Sequence, residues 1–175
     1  AGKRITLELD DKLESPLYVL PGKYIPKPEN ATYVFESGKA YNVGCLQLNS
    51  DETVYIEYGA VVSGRIYSRM ADRVRILGIL YGGNWHAWDE NGAEQLIVPV
   101  LGENIEIRGI TLLDGGSWHI VPVACKNVLI EDVNVLGKVI TGDGVDIVGC
   151  ENVVLRNCFI RANDDCISIK AVEFQ

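Results

Sequence analysis

Residues 119–138 read HIVPVACKNVLIEDVNVLGK, and residues 146–163, DIVGCENVVLRNCFIRAN, repeat the phrase. Each is a short Val/Ile-rich strand, a three-residue polar corner and a second strand. The same phrase recurs upstream as IVPVLGENIEIRGITLLDGG (97–116), RIYSRMADRVRILGILYGG (65–83) and LQLNSDETVYIEYGAVVSG (46–64). Anchored on the residue that opens each second strand, Thr53, Arg73, Asn104, Asn127 and Asn152 follow at intervals of 20, 31, 23 and 25. All but the 31 lie close to one repeat length.

Strands this short cannot bury their apolar alternates as isolated hairpins. Stacking coil on coil solves the problem: each strand pairs in parallel with its equivalent about 4.8 Å away, and the inward residues build a continuous column. Asn104, Asn127 and Asn152 then share one corner, where side-chain amides can stack, and Cys125 and Cys150 fall in register as stacked thiols. An antiparallel sandwich predicts hairpin turns instead, with no recurrence of one residue type at one corner. Helical repeats fail because no window has a 3.6-residue period. The reading is an all-β, single-stranded right-handed parallel β-helix, incomplete at its C-terminal end.

Two segments break the rhythm. Residues 1–40 contain four of the six prolines and no clear coil, so they are expected to cap or lead into the solenoid, with residues 41–175 as its coils. The long interval holds an insertion, GGNWHAWDENGAEQ (82–95), and insertions in solenoids become loops on one face, often the binding face. Trp85 and Trp88 there suit stacking on sugar rings; covering the adjacent core is the competing role.

With 175 residues, 47% hydrophobic content and 23% charge, the chain fits one globular domain. A formal charge of −8 argues against a nucleic-acid surface, which needs a basic face. No run of about 18 apolar residues predicts a membrane span. The five cysteines show no CxxC pair, and His86 and His119 lie far apart, so neither a zinc site nor any cofactor is expected. The chain opens AGKRITLELD without Met or leader and stops just after a strand begins, which suggests a piece of a longer protein. Its last coil would then be an open sheet end prone to self-association.

Asp164 and Asp165 adjoin in RANDDCISIK (161–170), one repeat beyond Asp143 in TGDGVDIVGC (141–150). A shift of 22 residues puts Val145 over Ile167, Ile147 over Ile169, Asp143 over Asp165, and Asp146 over Ser168 on the face away from the core. Carboxylates about 5 Å apart along the stack push at least one pKa upward, which suits general acid–base cleavage of a glycosidic bond. Capping of turn amides, or calcium binding, is the alternative that spacing alone leaves open. Gly144 leaves room beside Asp143 for something to approach.

The stretch GDGVDIVGCENVVLRNCFIRANDDCISIK (142–170) resembles the polygalacturonase-like family 28 glycoside hydrolases, whose signature is Asn-Thr-Asp-Gly-(Ile/Val)-Asp followed about a coil later by Asp-Asp-Cys. VRILGILYGGNWHAW (74–88) and GGSWHIVPVACKNVLIEDVNV (115–135) resemble further family segments, so the likeness spans roughly 33–171. It implies a pectin-type polysaccharide as substrate and inverting hydrolysis. By that resemblance Asp164 is the general acid, and Asp143 and Asp165 hold and deprotonate water; Trp85, Trp88, Trp118 and His119 are the candidate substrate contacts. It also implies a secreted or periplasmic location.

This chain departs from the pattern in two ways. Thr141-Gly142 stands where the family has Asn-Thr, and Tyr81 where it has Asp. The family's later Gly-His-Gly and Arg-x-Lys motifs are not in the chain, so turnover by these residues alone is not expected, and Lys170 is not taken as a substitute. Rival readings are a dextranase-like hydrolase of neutral glucan, a polysaccharide lyase or epimerase, and a non-catalytic carbohydrate-binding β-helix.

Overall fold

The computed structural model describes residues 3–8, 16–81 and 95–171. Its fifteen strands run β1 (Ile5–Leu7), β2 (Leu17–Val19), β3 (Tyr33–Phe35), β4 (Ala40–Leu48), β5 (Thr53–Ile56), β6 (Val61–Arg69), β7 (Arg75–Tyr81) and β8 (Ile97–Val100). They continue as β9 (Glu103–Leu113), β10 (Lys126–Glu131), β11 (Asn134–Leu136), β12 (Val145–Val148), β13 (Glu151–Arg156), β14 (Phe159–Arg161) and β15 (Ile167–Lys170). Apart from the antiparallel β1–β2 pair, every strand pairing among the described residues is parallel. The chain is a right-handed parallel β-helix. No helix among the described residues is long and apolar enough to cross a membrane.

Three walls close the solenoid. The first stacks β3, β5, β7, the start of β9, β10 and β13. The second runs through the early halves of β4 and β6, the ends of β7 and β9, then β11 and β14. The third takes the later halves of β4 and β6, then β8, the bridged residues 120–123, β12 and β15.

Period-two alternation fills the core. On the first wall Val54, Ile76, Ile107, Ile130 and Leu155 stack in successive rungs. On the third, Ile66, Ile97, Ile120 and Val145 do so with at most 2% of their surface exposed. Full burial of each such side chain contributes about 1.5–3 kcal/mol before conformational entropy is subtracted. Because a register slip of one residue would turn every column outward, the columns hold the coils in place.

The polar corner forms as a ladder. Asn104, Asn127 and Asn152 adopt φ of 58°, 52° and 56°, the left-handed conformation that asparagine tolerates best among side-chain-bearing residues. Asn152 Nδ2 donates to Asn127 Oδ1 at 2.7 Å, and Asn127 Nδ2 to Asn104 Oδ1 at 3.3 Å. Cys125 and Cys150 stack as free thiols, with the Cys125 amide donating to Cys150 Sγ at 3.4 Å.

One expectation is corrected. Thr53 does not lie over Arg73; it pairs with Arg75, while Asp51 and Arg73 form the ion pair at that corner. The interval of 20 is therefore a 22-residue rung, the corner itself having been placed two residues late. Among the described residues of the leading segment, contacts run along the flank: Tyr55 Oη donates to the Ile25 carbonyl near the first coils, and Arg4 Nε to Asn134 Oδ1 near the last. Tyr18 stacks edge-on against Phe159 in β14. The end of this segment is already coil, since β3 pairs with β5.

Candidate active site

The third wall builds the site because the turns entering its last three rungs carry the candidate residues. Trp118 and His119 precede the rung at 120–123, Asp143 precedes β12, and Asp164 and Asp165 precede β15. The register Val145↔Ile167 and Ile147↔Ile169 is the 22-residue shift read from the sequence. It continues backward, since the Gly144 amide donates to the Asp165 carbonyl at 2.8 Å and that of Val145 to Cys166 at 3.1 Å.

Asp143, Asp164 and Asp165 line one cleft of about 490 Å³ together with Trp118, Thr141 and Lys170. Asp143 is buried at its floor, while Asp164 and Asp165 are exposed. Three carboxylates of unequal exposure thus face one space, an arrangement that can give a proton on one side of a bond and take one on the other.

His119 does not contact that space. It has no exposed surface, which corrects its assignment to substrate binding. Its ring sits between Gly115 and Gly137; a Cβ on Gly137 would lie 2.5 Å from His119 Cε1. Nδ1 lies 2.7 Å from the Asp143 carbonyl, and since a carbonyl only accepts, Nδ1 carries the proton. Nε2 then accepts from the Gly115 amide at 3.3 Å, and the His119 amide also donates to the Asp143 carbonyl, at 3.0 Å. Burial lowers the imidazole's pKa and keeps it neutral, against the opposing pull of the Asp143 carbonyl.

Lys170 occupies the cleft's outer wall. Its Nζ donates to Asp143 Oδ2 at 3.0 Å, pairs with Asp146 Oδ1, and sits 3.4 Å from the Trp118 ring centroid. Trp118 therefore lines the cleft with one face already covered by an ammonium. Asp146 is fully buried, and its Oδ2 has no hydrogen-bond partner. Burial pushes its carboxyl up to about 7, with Asp143 adding to the rise and Lys170 opposing it.

The room beside Gly144 is filled by the protein itself. A Cβ there would lie 2.3 Å from Ile160 Cγ2 and 2.5 Å from the Cys166 carbonyl, so the glycine lets the next coil approach. Trp85 and Trp88 fall outside the described residues. Sequence reasoning missed Asp146 and Lys170 as site residues. The usable signal was alternation: both are on the outer face of neighbouring rungs, two positions apart on the diagonal, within reach of a lysine. Among the described residues no cluster of three His, Cys, Asp or Glu side chains is placed to hold a metal ion.

The family model described as glycosyl hydrolases family 28 matches residues 82–174, and the chain belongs to that family. Among its relatives, a probable polygalacturonase of Vitis vinifera is 32% identical over 97 residues, covering 51% of this chain and 20% of the relative. An exopolygalacturonase of Zea mays is 41% identical over 68 residues, 38% of this chain and 17% of the relative. The chain thus spans about a fifth of the length of these curated relatives. In fold it is similar to the family 28 exopolygalacturonase of Yersinia enterocolitica, with a TM-score of 0.64 at 17% identity over 74% of this chain and 37% of that one.

Proposed function

We propose that this protein hydrolyses a glycosidic bond in a pectin-type uronate polysaccharide, with inversion at the anomeric carbon. The observation that carries the reading is the convergence of Asp143, Asp164 and Asp165 on one cleft through the 22-residue register of β12 and β15. Asp164, exposed at the rim, protonates the leaving oxygen. Asp143 and Asp165 hold the attacking water and take its proton, across the gap of about 6.5–9.5 Å that inverting carboxylates keep. The names of the plant relatives support the uronate substrate.

A neutral glucan is the second reading, favoured by one contact. Lys170, the cation among the described cleft residues, is held by two carboxylates and is not free for a substrate carboxylate. Reducing-end release from polygalacturonate and from dextran, with NMR of the first-formed anomer, separates the two. Polygalacturonate hydrolysis with inversion, abolished in a folded Asp164→Asn variant, is the expected result. Turnover at the wild-type rate in that variant, or an unsaturated product absorbing in the ultraviolet, overturns the mechanism.

A further inference from the structure

We propose that Lys170 and Asp146, outside the aspartate trio, are positioning residues that hold the Asp143 carboxylate in place, with Trp118 as the platform beneath the ammonium. The inference rests on the hydrolase reading for its purpose, but its geometry stands independently. One ammonium donates to Asp143 Oδ2 at 3.0 Å, pairs with Asp146 Oδ1 and lies 3.4 Å from the centre of the Trp118 ring. These groups come from three successive coils, so the lysine ties them across the stack.

Charge balance says how the set works. Asp143 and Asp146 face Lys170 from the β12 coil, Trp118 covers it from the coil before, and Asp164 and Asp165 line the same cleft. His119, neutral beneath Asp143, adds no charge. Two enclosed carboxylates against one cation leave an excess negative charge, which a buried site resists. A single proton removes it. Asp146 is the group to carry that proton: it has no exposed surface, its Oδ2 is without a partner, and its carboxyl is raised to about 7. Asp143 is then left as the ammonium's ionic partner, oriented through one oxygen. When Asp146 loses its proton the ammonium is divided between two anions, and its hold on Asp143 weakens.

The test follows ionisation and turnover separately. In the chain labelled at aspartate carboxyl carbons, Asp146 is expected to titrate near 7, and Trp118 fluorescence to step at the same pH. Lys170→Met should raise the Asp146 midpoint by at least one pH unit, a tenfold change in proton affinity, and Lys170→Arg should restore it. If Lys170→Met does not fold, Asp146→Asn tests the link from the other side by abolishing the Trp118 step. An Asp146 midpoint indifferent to Lys170→Met, or a Trp118 step that survives Asp146→Asn, overturns the inference. Hydrolysis with the same pH profile in wild type and Lys170→Met also overturns it. Absence of hydrolysis in wild type with the titration linkage intact counts against the hydrolase reading alone.

Discussion

His119 Nδ1 lies 2.7 Å from the carbonyl of Asp143, one coil along the solenoid. That bond, with the His119 amide on the same oxygen, pins the backbone of a buried acid from below, while the coil above pins the next residue through the Asp165 carbonyl. His119→Leu should therefore destabilise the fold by about 1–3 kcal/mol, chiefly through the unpaired Gly115 amide, since the Asp143 carbonyl keeps its backbone bond from residue 119. Urea denaturation measures the loss, and hydrogen exchange should show it concentrated at Gly144 and Val145. In the wild type, nitrogen NMR should find the Nδ1–H neutral tautomer persisting below pH 6.5, because burial depresses this imidazole.

Stability should fall as pH rises from about 4 to about 7 through Asp146. Its carboxyl is raised from 3.8 to about 7, so across that window the folded state holds a proton that the unfolded chain has released. The contribution is fully present below the unfolded pKa and is lost as pH passes through the folded one. His119 works in the opposite sense near 6.5, since its folded pKa is lowered. Comparing wild type with Asp146→Asn by urea melts from pH 4 to 8 isolates the aspartate: the difference should change across the window and be flat above it.

Gly144→Ala should destabilise by about 1–3 kcal/mol, the usual result of forcing atoms into a packed site. The added methyl meets Ile160 Cγ2 at 2.3 Å and the Cys166 carbonyl at 2.5 Å. The same push separates the Asp143 turn from the Asp165 turn, so any turnover should fall further than stability does. A thermal melt paired with an activity assay checks both.

Thr141 Oγ1 is buried at the cleft without a hydrogen-bond partner. Thr141→Val should leave the free protein as stable or slightly more so, because an unsatisfied hydroxyl is removed. If that hydroxyl receives a sugar group, affinity for the polysaccharide should drop about tenfold, roughly 1.4 kcal/mol. Calorimetric titration with oligogalacturonates reads the loss; unchanged affinity removes Thr141 from the binding surface.

Much of the fold was legible because its repeat is a physical requirement. Parallel rungs place the same position over itself at every turn, so the Asn104–Asn127–Asn152 corner and the Val145–Ile167 register could be read as spacing. The same register placed the three aspartates. The first corner misled by two residues because Thr53 opens its strand with no asparagine there to mark the turn. Asp146 was read as an outward polar alternate, which it is in direction, but its enclosure depends on a lysine reaching over from the next rung. His119 looked like a substrate contact because nothing in the local sequence says that Gly115 and Gly137 close around its ring.

From residue order alone came the coil, the stacking register and the meeting of one early acid with a later pair, since backbone pairing repeats at a set spacing and alternation chooses the face. Tertiary structure alone decided which of the polar groups facing outward are sealed from water and which ion pairs they make. Those outcomes depend on long side chains crossing between coils and on glycines that admit them, and neither follows from periodicity.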